Sequence, residues 1–292
     1  MEELLSTLSF IVLYGVSYGV VLFTISIGLV VTMGLMRIIN LAHGAFAALG
    51  GYLAASLMNQ LSMSFWLAVP LAVVAVALFS VLVERLFYVY LYTATELDQV
   101  LLTVGLAFVA VAGLNFIFGP NVYPAKLPEV LVLNVDFGIR KFQTYRLFLI
   151  ADGAVLFGVL WYVFNRTSFG ARLRAAVDNR GMAQAIGIDV PKLFSLVFAL
   201  GSGLAALGGA IGYGILPLEP LYPFKYLVLV LIVVSLSGFG NIKAAAAVAI
   251  FLGVVDTGCR YLFPNVGAFI IYGILISLII RKHAGIFARG RT

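Results

Sequence analysis

Charge is what this chain has least of: 10% of its 292 residues are Asp, Glu, Lys or Arg, against 63% hydrophobic residues and a mean hydropathy of +1.12. Soluble domains carry roughly a quarter charged residues, so a water-soluble fold is excluded and an integral membrane protein is expected. Cysteine is nearly missing too. Cys259 stands alone, which excludes an intrachain disulfide framework and a multi-cysteine metal site. The only histidines, His43 and His283, have no carboxylate at ligand spacing, so no metal is expected. No G-x-x-x-x-G-K-[ST] run occurs; the chain needs no cofactor of its own, and any ATP and Mg would be held by other subunits.

Long uncharged runs stand where these features are lacking. None of Asp, Glu, Lys or Arg occurs in 4–36, 38–83, 99–125, 193–218 or 261–280. Each run reaches the ~20 residues a helix needs to cross ~30 Å of hydrocarbon. Backbone groups in lipid must be satisfied within their own segment, and no ten-residue alternation suggests a barrel, so the expected class is all-α. The reading is one membrane domain over 1–292, a polytopic helical bundle of about 8–9 spans near 8–34, 40–58, 66–85, 99–118, 147–165, 193–214, 224–237, 243–261 and 266–281.

Basic residues orient that map. Arg37, Arg85, Arg166, Arg172, Arg174, Arg180, Lys192, Lys243, Arg281, Lys282, Arg289 and Arg291 fall on one side; Lys126, Arg140, Lys141, Arg146, Lys225 and Arg260 fall on the other. The twelve-residue side is expected to be cytoplasmic, with the C-terminus inside and the N-terminus outside. Glu2 and Glu3 replace the positive start of a cleaved secretory signal, so the first segment is expected to stay in the protein. The net charge of +6 is accounted for by these loops, and nucleic acid is not an expected partner.

Small and polar residues inside the runs carry the next layer. Gly15 with Gly19, and Gly208 with Gly212, have the small-xxx-small spacing that lets membrane helices approach closely. The same reading disposes of Gly201-Ser-Gly203-Leu-Ala-Ala206, a dinucleotide-fingerprint look-alike with no strand before it. Asn40, His43 and Gly44 fall where a helix should be entering lipid: either Asn40 is an N-cap at the interface, or the helix is broken and its backbone lines a pathway. Gly238, Gly240 and Asn241 form a second irregular element ahead of a small-residue helix. Asp256 and Arg260 are spaced to pair on one helix face. The segment 166–192 is a charged island: Leu173, Ala176, Val177 and Ile186 fall broadly on one face of a helix near 171–187, Arg174 is placed to pair with Asp178, and Gly187 to end the helix as C′.

The blocks GLMRIINLAHGAFAALGGYLAA, ERLFYVYLYTATELDQVLLTVGLAF, FGARLRAAVDNRGMAQAIGIDVPKLFSLVFALGSGLAALGGAIG, LSGFGNIKAAAAVAIFLGVVD and RKHAGIFARG occur in the order, and over nearly the whole chain, in which they resemble the branched-chain amino acid ABC-transporter permeases. The resemblance implies a subunit of a bacterial inner-membrane uptake system that pairs with a second related permease or a second copy, two cytoplasmic ATPases and a periplasmic binding protein. It implies that Arg172, Leu173, Ala176, Val177, Asp178, Met182, Ile186 and Gly187 contact the ATPase, and that Asn40, His43, Gly44, Gly238, Gly240 and Asn241 lie near the pathway. An acidic side chain at Ala176 is then expected to abolish coupling without disturbing insertion. One departure stands: Arg174 precedes Ala175-Ala176 and Gly181 falls one position late for the E-A-A-x-x-x-G pattern of many other ABC importers, which argues for a separate fold.

Such permeases also move urea, short amides and aromatic or small carboxylates, so the solute stays open between these and amino acids. A helix lying on the membrane surface is the bland reading of 166–192. An ion-coupled secondary transporter would need free intramembrane carboxylates, and Asp256 and Asp152 offer few. A membrane enzyme would need a cluster that Glu84, Asp98 and Asp178 do not make.

Overall fold

The structure, a computed structural model, describes residues 2–36, 38–136, 141–238, 240–267, 269–274, 276–277 and 280. Arg37 and the basic residues from 281 onward lie outside the described residues, as does part of the expected last span, 266–281. Among the described residues the regular structure is helical apart from one two-stranded sheet. The order is α1 (Glu2–Met36), α2 (His43–Gln60), α3 (Phe65–Leu86), a 3-10 helix (Tyr88–Thr93), α4 (Glu96–Phe118), α5 (Glu129–Val132), β1 (Asn134–Asp136), β2 (Lys141–Gln143), α6 (Thr144–Arg166), α7 (Ser168–Asp178), α8 (Arg180–Ala185), α9 (Val190–Gly212), α10 (Tyr222–Lys225), α11 (Leu227–Ser237) and α12 (Ile242–Leu262). The strands pair antiparallel, with Val135 opposite Phe142.

Among the described residues six helices are long and apolar enough to cross a membrane: Ser6–Gly34 within α1, then α3, α4, α6, α9 and α12. Two other expected crossings, 40–58 and 224–237, differ in detail from the expectation. The α10–α11 pair is a shorter apolar segment, and α11, with 11 residues, reaches only about 16 Å at the α-helical rise, half the hydrocarbon thickness. The α2 helix begins at His43, later than the expected 40. The three residues 38–40 before it are not helical.

The bundle is built round α1 and α9, the two most enclosed spans. Glycine makes their close approach possible. A Cβ at Gly15 would lie 2.5 Å from Val254 Cα, and one at Gly19 would lie 2.6 Å from Ile250 Cα, so α12 packs backbone-to-backbone on α1. On α9 a Cβ at Gly208 would meet Ile25 Cγ1 at 2.5 Å and one at Gly212 would meet Val21 Cγ1 at 2.6 Å. Gly209 and Gly201 lie equally tight against Ala47 of α2 and Thr32 of α1. Lipid tails are as apolar as the side chains, so this packing, rather than a hydrophobic driving force, joins the helices. The exposed Phe108, Phe116, Leu78 and Val155 belong to α4, α3 and α6, outer elements suited to lipid or another subunit.

The two ends of the bundle differ. At one end α3, the 3-10 helix, α6, α7, α8 and the starts of α9 and α12 meet, bringing Arg85, Arg166, Arg174, Arg180 and Lys243 together around Trp161, Tyr92 and Glu84. At the other end the loops are tied to helix ends: Tyr123 N–H donates to Leu218 O at 2.8 Å, Tyr213 Oη to Lys126 O at 3.1 Å, and Asn59 Nδ2 to Pro124 O at 2.6 Å. Replacing Gly19 by Val would force α1 and α12 apart. Overpacking of this kind costs about 1–3 kcal/mol, so Gly19→Val should lower the melting temperature and membrane yield of the subunit. Gly105→Ala, where nothing lies within 4 Å of the added Cβ, should leave both unchanged.

Candidate functional site

The chain leaves α1 at Met36 and returns into the bundle before α2 starts. His43 is 1% exposed, and its Nε2 lies 2.9 Å from the carbonyl oxygen of Ile25, well inside α1. A carbonyl only accepts, so Nε2 carries the proton and Nδ1 is bare; Nδ1 has no partner among the described residues. The stretch ahead of His43 has no helical ladder, and backbone groups of Ile39 find partners on α4 instead. Ile39 N–H donates to Gln99 Oε1 at 2.9 Å, and Thr103 Oγ1 donates to Ile39 O at 3.4 Å. Gln99 also donates to Leu91 O at 3.2 Å. Irregular backbone at membrane depth persists only where protein satisfies it, and Gln99 and Thr103 do so here.

Asn40 is not the N-cap of α2. That position belongs to Ala42, with no side-chain cap. Asn40 is buried, and its Oδ1 accepts from Tyr88 Oη at 2.7 Å, so the side chain fixes the returning stretch to the 3-10 helix rather than starting a helix. Gly44 lies tight against Pro223 of α10, joining the short α10–α11 element to this break.

The second irregular element behaves differently. Gly238 and Gly240 have φ of +79° and +74°, a region that L side chains rarely adopt. Gly240 N–H donates to Val30 O at 3.2 Å, and exposed Asn241 caps α12 by accepting from Ala244 N–H at 3.1 Å. Asn40 and Asn241 therefore do not play corresponding parts: one is a buried cross-link and the other an exposed cap. Both breaks nevertheless rest on the same helix, on carbonyls of Ile25 and Val30. Asn241 and Lys243 line a cavity of about 310 Å³ together with Trp161, Asn165, Leu173 and Arg174.

The charged island is two helices rather than one. α7 ends at Asp178, and Asn179 caps α8, its Oδ1 accepting from Met182 N–H at 2.9 Å. Gly187 at φ +88° closes α8: its N–H donates to Gln184 O and that of Ile188 donates to Ala183 O, both at 3.0 Å. This is the Schellman arrangement. The break divides the expected apolar face. Leu173 and Ala176 are 1% and 2% exposed and pack within this chain, with Val177 half-buried, whereas Met182 and Ile186 are 62% and 67% exposed. An acidic residue at Ala176 would thus disturb the subunit itself, contrary to the expectation from sequence. Arg174 does not pair with Asp178: its Nη1 donates to Phe164 O at 2.5 Å, capping the end of α6. Arg172 lines a groove of about 400 Å³ with Phe169, Gly187, Ile188, Lys192 and Leu196. At its rim the Lys192 ammonium, 2.7 Å from Asp189, holds that carboxyl below its usual range.

One residue that sequence reasoning passed over anchors this end. Glu84 of α3 is buried and accepts from Tyr92 Oη and, at 2.8 Å, from Ser195 Oγ of α9. Tyr92 and Phe194 in turn face the Arg180 guanidinium, 6.0 and 5.5 Å from their ring centroids. The first residue of α8 is so held on an aromatic pair that is hydrogen-bonded to a buried carboxylate. The sequence signal was there: a carboxylate ending an apolar run just before the aromatic stretch 87–92.

Gln99→Leu should leave Ile39 N–H unsatisfied in the interior, a loss of about 1–3 kcal/mol for a buried group, while Leu91 O keeps the Ala94 N–H. The expected result is a lower melting temperature of the purified subunit, larger than that of Asn241→Ala, whose exposed cap is worth about 1 kcal/mol.

Comparison with known proteins follows the same lines. A protein of Methanocaldococcus jannaschii named as a probable branched-chain amino acid transport permease, LivH, is 24% identical over 273 residues, covering 90% of this chain and 85% of the relative. The high-affinity branched-chain amino acid permease BraD of Pseudomonas aeruginosa is 24% identical and LivH of Escherichia coli 22% identical, each over 94% of both chains. No solved structure matches. The family described as the permease component of branched-chain amino acid transport systems matches residues 11–279, and the chain belongs to that family.

Proposed function

We propose that this chain is the non-catalytic membrane subunit of an ATP-driven importer that moves amino acids of branched-chain type, or similar small polar solutes, from a periplasmic binding protein to the cytoplasm. The basic end faces the cytoplasm of a bacterial inner membrane on this reading, which the distribution of Lys and Arg supports. Two ATPase subunits supply the nucleotide chemistry, and a second related permease or a second copy covers the outer helices.

The observation that carries the reading is the exposed Met182 and Ile186 on α8, a short helix capped at both ends and projecting from the basic end. Two large apolar side chains held rigidly in a basic surround fit a groove on a soluble partner. The Arg172 groove beside them widens the contact. Movement of α8 reaches the spans through Arg180, Tyr92 and Glu84, because Glu84 lies on α3 and Ser195 on α9. The irregular stretches at 38–42 and at Asn241 are the places where a solute path would be opened and closed on this reading. Asn40 and His43, both buried, act by fixing the backbone rather than by touching solute.

Ile186→Asp places a charge on the docking face. Truncating or reversing a central interface anchor costs about 2 kcal/mol or more, so ATPase co-purification and ATP-driven uptake by the assembled system should fall at least about tenfold, while membrane levels of the subunit stay unchanged. Ala176→Asp should instead reduce the membrane level itself. Normal coupled uptake in Ile186→Asp would contradict the assignment of α8.

A further inference from the structure

The end opposite α8 holds a second built feature. A cavity of about 510 Å³ opens between α1, α6, the turn after α9, α10 and α12, within the size range of small-molecule sites. Its walls are aromatic. Phe10 stacks on Tyr14 with ring centroids 4.0 Å apart and meets Tyr261 at 5.0 Å. Arg146, Lys225 and Arg260 line it, three of the six basic residues that the positive-inside pattern leaves on that side of the membrane.

The charges there are not balanced. Asp256 accepts from Arg260 Nε through both oxygens at 2.9 Å, and Glu219 accepts from Lys225. Both carboxylates are therefore already engaged. Arg146 has no carboxylate partner among the described residues: Nη1 donates to Ser17 Oγ at 3.1 Å, the guanidinium lies 4.3 Å from the Tyr14 ring centroid, and Nε is buried without a partner. A guanidinium held by stacking, with donors left over, is pre-set for a planar anion. Ammonium groups find no free carboxylate in the cavity.

We infer that this cavity is a receiving site for a small solute bearing a carboxylate on a compact apolar body, with Arg146 taking the carboxylate and Phe10, Tyr14 and Tyr261 packing the body. The inference rests on the importer reading and narrows it: urea and neutral amides would bury the Arg146 donors without an anion to meet them, which is unfavourable.

The test uses the assembled transporter, ATPase subunits included, in phosphatidylcholine nanodiscs. Its melting is followed with isovalerate and with the isosteric isovaleramide, and ATP-driven uptake of leucine, urea and acetamide through the binding protein is measured on the same assembly in proteoliposomes. Isovalerate should raise the melting temperature and isovaleramide should not. Arg146→Gln should weaken the isovalerate effect at least about tenfold, and Arg146→Lys should weaken it less. If Arg146→Gln fails to assemble, Tyr14→Leu, which removes the stacking under the guanidinium, should give the same loss. Equal shifts with acid and amide, no shift with either, or an unchanged Arg146→Gln response would overturn the site. So would loss of the isovalerate shift when phosphatidylglycerol replaces phosphatidylcholine, since an anionic headgroup would then be the occupant. ATP-driven uptake without an acid-specific shift sinks the site alone; uptake that needs no ATPase sinks the importer reading beneath it.

Discussion

In hydrocarbon no water is available to satisfy a backbone N–H or C=O, and each group left bare there costs several kcal/mol. That constraint makes almost every described segment helical and decides what happens where a helix is interrupted. At 38–42 the partners come from Gln99 and Thr103 of α4 and from His43 reaching α1. At 238–241 they come from Val30 of α1 and from the Asn241 cap. A carbonyl in a helix has a second lone pair, and α1 lends two of these to its neighbours. The breaks before α2 and before α12 are thus mounted on one helix instead of floating between spans.

Close approach of that helix to α9 and α12 is the second half of the arrangement. Glycines at 15, 19, 208 and 212 bring the backbones within contact of Val254, Ile250, Ile25 and Val21. Packing so tight leaves little room for sliding. A push at the basic end would be carried as displacement of whole helices, and the Glu84–Tyr92–Arg180 chain is the route by which α8 reaches α3 and α9. The charge excess at Arg146 lies at the other end of the bundle, where α6 starts against α1.

Much of this was legible in the sequence, and the misses have physical causes. Uncharged runs located the long spans, and small-residue spacing marked Gly15, Gly19, Gly208 and Gly212, because length and steric bulk are local properties. The ending of α8 at Gly187 was legible for the same reason: a positive φ selects glycine. For Asn40 the sequence left a cap and a broken helix equally open, because an asparagine ahead of a helix looks the same whether it bonds its own backbone or Tyr88, 48 residues away. The single helix over 171–187 failed at Asn179, whose capping role depends on the chain turning there. Which side of α7 is buried could not be read either, since Leu173 and Ala176 would look alike facing a partner or facing α1 and α6. Glu84 shows the same limit: its two donors come from the 3-10 helix and from α9, 111 residues on.

The central claim is that α8 meets a soluble partner at the basic end while α7 stays within the subunit. A photo-crosslinking residue placed at Ile186, and separately at Leu173, in native membranes containing the assembled transporter tests it directly. The account requires an adduct between position 186 and the ATPase subunit, and only an intramolecular adduct or none from position 173. Adducts from 186 to lipid, with the ATPase captured from 173, would contradict it.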